Sequence, residues 1–320
     1  MKKVLVVIVV IIAITSCVTS EIHYTTSDGN KLRNVKSESF DKEIIEHVYS
    51  EKGGCIKFRG KLTSIGEWAF YFNHSLINIT IPNSVVSVGK AAFAYCPNLK
   101  SFFGEKASPD NRCLIINDEI NAFAPADLTE YTIPDCACII GDHAFFACDI
   151  KRIDIPDCII SIKDYAFAYC GQLEEVVVPE KTISIGNYAF HSCGSIQRVV
   201  ISDSVLSIGE HAFSSCIALK DLMIGSGVRL IEKSAFACCE SLRSVAIPSK
   251  VSIMGKQVFY DCIALKDVYC KSITPPMGEK QMFDNAANKL RIRVPRECIE
   301  NYKSAFYWNK YSNRIVGHDF

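Results

Sequence analysis

Apolar residues along this chain recur in one phrase, Ile-Gly-x-x-Ala-Phe-x-x-Cys-x-x-Leu-x-x-Val-x-Ile-Pro. Its Phe falls at Phe70, Phe93, Phe145, Phe167, Phe190, Phe213, Phe236 and Phe259, and from Phe145 onward every step is 22 or 23 residues. A fixed period of this length predicts a solenoid, because each unit is too small to bury its own apolar face and must stack on its neighbours. Within the copy Ile231 to Pro248, the spacing Leu242, Val245, Ile247 ends with the period of two that a half-buried strand requires. Pro248 lacks an N–H and stops the ladder. Ala235, Phe236 and Cys239 are spaced to share the inner side of a single helical or 3₁₀ turn. The Gly after the Ile (Gly66, Gly89, Gly141, Gly186, Gly209, Gly255) takes a positive φ or lets the next turn approach closely.

Stacked units of this kind predict one parallel sheet, with strands about 4.8 Å apart, backed by short helical or 3₁₀ turns. About nine 22–23-residue repeats would give a rod or shallow arc roughly 45 Å long. Between Phe93 and Phe145 the period fails. There Leu128 to Pro134 keeps a strand, while Leu114 to Phe123 reads as a hairpin inside one enlarged repeat, about 104–138. Open strand edges invite association, so both ends need covers. Ile22 to Thr26 followed by Asp28-Gly29 reads as a hairpin signal, and Asp41 to Tyr49 has helical spacing through Ile44, Ile45 and Val48. At the other end Pro275-Pro276 closes the repeats and Cys298 to Trp308 is helix-like. The expected division is 17–60 as linker and N-terminal cap, 61–271 as repeats and 272–320 as C-terminal cap.

Residues 1–16 begin with Lys2-Lys3 and an apolar run from Val4 to Ala13, too short to span ~30 Å of hydrocarbon, and so read as an export signal. The following Ile14-Thr15-Ser16-Cys17 resembles the lipobox of bacterial lipoproteins, which implies cleavage before Cys17 and lipid attachment to its thiol. By the same resemblance, Val18 after the Cys favours the outer membrane, and the protein is expected at the cell surface. Lys plus Arg and Asp plus Glu each number 35, so there is no basic field to attract nucleic acid or an acidic membrane. Contact with the membrane is expected through the lipid anchor alone.

The phrases Ser64-Ile65-Gly66-Glu67-Trp68-Ala69-Phe70 and Ser207-Ile208-Gly209-Glu210-His211-Ala212-Phe213 closely resemble the BspA-like leucine-rich repeats of bacterial surface proteins. The altered copy Asn121-Ala122-Phe123-Ala124-Pro125 is similar to forms seen there too. The resemblance covers about Ile22 to the C-terminus. It implies a leucine-rich repeat solenoid of the α/β class and a role in adhesion to host or bacterial proteins. Asp203-Ser204-Val205 resembles a short O-glycosylation motif of exported Bacteroidetes proteins, which would place a sugar on Ser204.

Sixteen cysteines in an exported chain raise the question of disulfides. Cys96, Cys148, Cys170, Cys193, Cys216, Cys239 and Cys262 all sit three residues after the repeat Phe, and are expected as a buried ladder of apolar thiols. One turn apart, their Cβ atoms would be near 4.8 Å, longer than the ~3.8 Å a disulfide prefers. A pairing among Cys55, Cys113, Cys136 and Cys158 stays open. A ladder presents thiols in a line, not in a tetrahedral cluster, so no metal is expected. No phosphate loop, His-Glu-x-x-His or Gly-x-Ser-x-Gly occurs, and His143, His191 and His211 are expected to face solvent, so no catalytic residues and no cofactor are expected.

The exposed strand positions carry more. The fifth residue of Leu-x-x-Val-x-Ile becomes apolar at Val177, Val200, Met223, Ala246 and Tyr269, while the third runs Glu175, Arg198, Asp221, Ser244, Asp267. One reading is ordinary sheet chemistry, with lateral charge pairs of ~0.2–1 kcal/mol each. The other is a docking strip of Val177, Val200, Met223 and Tyr269 framed by Arg198 and Asp221, for a protein ligand or a glycan. Two further classes stand beside an adhesin: a glycan-binding accessory lipoprotein, which exposed Trp platforms would favour although the only two Trp are Trp68 in the first repeat and Trp308 in the C-terminal cap, and a structural envelope component.

Overall fold

The computed structural model describes residues 19–320. The Cys17 lipidation site and the leader lie outside the described residues. The chain winds as a succession of short strands and turns that form three walls around an apolar interior. The first wall carries the Leu-x-x-Val-x-Ile strands, which pair in parallel register, as in Glu175↔Arg198↔Asp221 and Val177↔Val200↔Met223. A second wall was not foreseen. The two-residue segments just before the Gly position of the phrase, mostly Ser-Ile, form their own parallel ladder, Ser161–Ile162, Ser184–Ile185, Ser207–Ile208 and Leu230–Ile231, whose Ile side chains point inward.

The third wall holds the repeat Phe, but its turns are neither helical nor 3₁₀. Each carries two non-glycine residues at positive φ, such as Tyr188 at 56° and Ser192 at 57°. That alternation points successive N–H groups along the solenoid axis: Tyr188, Phe190 and Ser192 donate to the carbonyls of Glu210, Ala212 and Ser214 in the next turn, at 2.8, 2.7 and 2.9 Å. The strain of a left-handed residue, of order 1–3 kcal/mol, is offset because each turn's polar backbone is satisfied only by stacking. The Gly of the phrase is not left-handed. An added Cβ at Gly89, Gly186, Gly209 or Gly255 would lie 2.4–2.6 Å from backbone of the preceding turn, so close approach is the requirement.

Inside, the Phe rings stack face to face, from Phe145–Phe167 at 4.9 Å and 18° to Phe259–Phe283 at 5.8 Å and 3°. Phe70 and Phe93 form a separate stack at 5.1 Å. The core divides at the enlarged repeat, where Cys113–Ile116 and Glu119–Phe123 make the expected antiparallel hairpin.

Both ends differ from expectation. The segment with helical spacing is a strand, β2 (Ile44–Ser50), which pairs antiparallel with β3 (Gly53–Arg59); β3 pairs in turn with β1 (Thr19–Thr26). Ile44, Ile45, Val48 and Tyr49 suit a pleated surface better than a helix, and the neighbouring edge of β3 supplies partners that no isolated helix would have. Asp28-Gly29 does turn the chain, with Gly29 at φ 64°, but β1 pairs with β3 and Leu76–Thr80 rather than with the residues after that turn. At the far end the solenoid continues beyond Pro275-Pro276: Phe283 extends the ring stack, and Arg291–Pro295 and Ile315–His318 add two parallel strands. These extra windings bring the solenoid to about eleven turns. The helix within Cys298 to Trp308 is the short α1 (Ile299–Ser304).

Candidate binding face

The Cys ladder occupies the interior of the turn wall. Cys96, Cys148, Cys170, Cys193, Cys216, Cys239 and Cys262 are buried, and all cysteines among the described residues are free thiols. Their Sγ–H groups donate to the carbonyl of the Phe one turn earlier: Cys96 to Phe70 at 3.2 Å, Cys170 to Phe145 at 3.0 Å, Cys193 to Phe167 at 3.1 Å, Cys216 to Phe190 at 3.4 Å, Cys239 to Phe213 at 3.4 Å and Cys262 to Phe236 at 3.2 Å. Cys148 departs from this, reaching only Phe146 at 3.9 Å. In the first copy Asn73 stands at the same place, its Nδ2 donating to Phe70 at 2.9 Å. The position therefore calls for a compact donor as well as an apolar filler. Burial pushes the Cys96 and Cys216 thiols up to about 12, which leaves them protonated and unreactive at neutral pH. Outside the ladder, Cys113 is buried 3.3 Å from the Tyr131 hydroxyl, while Cys136 is exposed.

His143, His191 and His211 do not simply face solvent. They are half-buried members of a second aromatic layer outside the Phe stack: His143 lies on Tyr165 at 4.8 Å and Tyr188 on His211 at 4.8 Å, joined by Tyr165–Tyr188 at 4.7 Å. The positive φ at His143, Tyr165, Tyr188 and His211 directs these side chains along the axis, so each covers its neighbour's face. Burial holds all three imidazoles below their ordinary pKa. His143 Nδ1 is buried without a hydrogen-bond partner among the described residues. Ring edges, not ring faces, meet solvent here, and Trp308 is wholly buried, so the Trp platforms that would favour a glycan reduce to the half-buried Trp68.

The strand wall is the open face. Val177 is 51% and Met223 59% exposed, with Val200 half-buried between them and Ala246 exposed beyond. Tyr269 does not extend this strip freely, because Arg293 stacks over its ring at 5.4 Å and His318 packs against its edge at 5.3 Å. Arg198 forms an ion pair with Glu175 on the preceding strand. Asp221 lies opposite Arg198 in register yet has no ion pair among the described residues, which leaves a free carboxylate beside Met223. Sequence reasoning missed the adjacent groove. Arg152–Asp154 pairs with Glu130–Thr132, and Glu175–Val177 pairs with Arg198–Val200, but the two pairs are not hydrogen-bonded to each other. That break opens a cavity of about 290 Å³ lined by Arg152, Ile153, Asp154, Asp157, Glu175 and Val177. The sequence signal is a shortened phrase: Cys148 and Ile150 are two residues apart where other copies have three, as in Cys170 to Leu173, which makes the step from Phe145 to Phe167 22 residues and the steps after it 23.

Ligating side chains converge at one place among the described residues, Glu21, His23 and Cys55 on the antiparallel N-terminal strands, whereas the Cys ladder runs in a line. The Ser204 hydroxyl donates to the Glu180 carbonyl of the previous turn.

The model of the BspA type leucine-rich repeat region matches residues 21–108, 115–202 and 183–313, in six copies. The chain belongs to the BspA-type leucine-rich repeat family. Among solved structures, a leucine-rich repeat protein from Eubacterium ventriosum is 23% identical with a TM-score of 0.60, over 72% of this chain and 63% of that one. The pneumococcal vaccine antigen PcpA is 18% identical with a TM-score of 0.52, over 82% of this chain and 61% of its own. This chain thus spans less than two thirds of either relative. At these identities the likeness concerns the fold. No curated protein matches the sequence.

Proposed function

We propose that this BspA-type repeat protein is a non-enzymatic, lipid-anchored envelope protein that uses its strand wall as a docking face, in adhesion to a host or bacterial protein. The observation that carries this reading is the strip Val177, Val200 and Met223 beside the unpaired Asp221 and the groove at Arg152 to Val177. Two large apolar side chains more than half exposed, Val177 and Met223, with the half-buried Val200 between them and both signs of charge at the rim, form the kind of patch that a partner covers. The registered spacing of strands presents these groups at fixed intervals, which suits an extended protein surface. PcpA is a vaccine antigen on the same fold, which supports a surface setting for this chain.

The test is adhesion to an immobilised extracellular-matrix extract by cells expressing the wild type or Val177→Lys/Met223→Lys. Both side chains are solvent-exposed, so the melting temperature should move little while adhesion falls at least about tenfold, as expected when central contacts of a docking face are lost. Equal adhesion by the two strains would remove the strip from the binding face. Protease shaving of the same cells checks the location: loss of the chain without lysis is expected.

A further inference from the structure

The N-terminal strands carry chemistry that the repeats do not. Glu21 and His23 are two residues apart on β1 and therefore project from the same face. Cys55 on β3 is paired directly with His23 across the antiparallel ladder. The three potential ligand atoms lie within 4.8 Å of one another, and His23 Nε2 is 3.1 Å from Glu21 Oε2. Bond lengths of 2.0–2.3 Å to tetrahedral zinc place neighbouring donors roughly 3.3–3.8 Å apart, so side-chain rotation alone closes the triad.

Charge and donor type agree with that geometry. A carboxylate and a thiolate together neutralise a divalent cation, and a mixed nitrogen, sulfur and oxygen set suits zinc rather than the all-oxygen preference of magnesium or calcium. The other Glu21 oxygen, Oε1, is 3.8 Å from Lys57 Nζ, which Glu46 holds at 2.9 Å. Lys57 thereby orients the carboxylate from outside the ligand set and leaves Oε2 turned towards His23, the role that outer partners play around metal sites.

We propose that Glu21, His23 and Cys55 form a zinc(II) site with one coordination position open to solvent. The side chains of His23 and Glu21 are 58% and 36% exposed, and among the described residues no fourth ligating side chain joins the cluster. His23 also pairs with Thr80 of the first repeat strand, which sets the site on the same face as the exposed strand wall. The fourth ligand is water, or a side chain from whatever contacts that end of the face. Zinc binding itself does not depend on the docking role proposed above, and either can fail alone.

The full-length chain, purified in detergent with its thiols reduced, tests this with Co²⁺ as a spectroscopic probe and Zn²⁺ in competition with a chromophoric chelator. The expected result is one bound equivalent with a thiolate-to-cobalt charge-transfer band that is lost in Cys55→Ser. Zn²⁺ affinity should fall more than tenfold in Cys55→Ser and in His23→Ala, given that loss of outer partners alone costs about 10–100-fold. The control Cys136→Ser/Cys138→Ser should keep both the band and the affinity. All the altered side chains are exposed or half-buried, so unchanged melting temperatures identify folded variants. Absence of a bound equivalent, equal affinity in His23→Ala, or a band that follows Cys136 and Cys138 would overturn the assignment.

Discussion

A single glycine per turn shows how tightly the windings approach. The Cβ of an alanine at Gly209 would lie 2.6 Å from the Gly186 carbonyl carbon, whereas at Gly171 it would meet nothing within 4 Å. Lys163 and Glu232 fill the Gly209 position in two other copies, so the backbone can adjust, and the expected cost is that of an overpacked core. Gly209→Ala should lose about 1–3 kcal/mol in denaturant unfolding. Gly171→Ala should stay within about 0.5 kcal/mol of wild type. Equal losses at both would show that a general glycine effect, and not close approach, governs the site.

At the scale of the turn wall, two ladders set the pH range of stability. His143, His191 and His211 have pKa values lowered by burial from the ordinary 6.5, so the unfolded chain binds protons first and stability is lost as pH falls below about 6.5. The Cys96 and Cys216 thiols are raised from 9.0 to about 12, so the unfolded chain releases protons first and stability is lost as pH rises from about 9 towards 12. The melting temperature should therefore be flat between about pH 7 and 8.5 and fall on both sides. His191→Gln should shrink the acid limb alone. A melting temperature independent of pH from 5 to 10 would contradict the burial of both ladders.

The whole molecule depends on its ends. Trp308 is wholly buried, donates from Nε1 to the Pro276 carbonyl at 2.8 Å, and with Tyr302 and Tyr311 closes the ring stack at Phe283. A chain ending at Cys270 would uncover Phe259 and the edge of the Asp267–Cys270 strand together. Stacked repeats share one interior and an open edge is a template for pairing, so that truncated chain should self-associate, as light scattering after size-exclusion would show. A monodisperse truncated monomer would mean that the last two strands are dispensable covers.

The period of 22 or 23 residues, the inward Phe and Cys and the strand ending at Pro were legible in the residues, since repetition multiplies a weak local signal until only a stack accounts for it. The hairpin at Cys113 to Phe123 was legible for the same reason, as a break in that repetition. The Ser-Ile wall was not, because two-residue strands have no periodicity of their own and exist only where the next turn supplies partners. Ile44, Ile45 and Val48 satisfy both periods, so their spacing alone does not separate helix from strand, and β3 makes the choice by pairing with β2. In the candidate face, the columns of Val177, Val200 and Met223 followed from alternation alone. That Arg198 chooses Glu175 over Asp221, that Tyr269 is covered by Arg293, that a groove opens beside Arg152, and that Glu21, His23 and Cys55 meet were decided only in three dimensions. Each depends on which neighbour stands across a ladder, and a sequence specifies spacing along a strand far more strongly than partnership between strands.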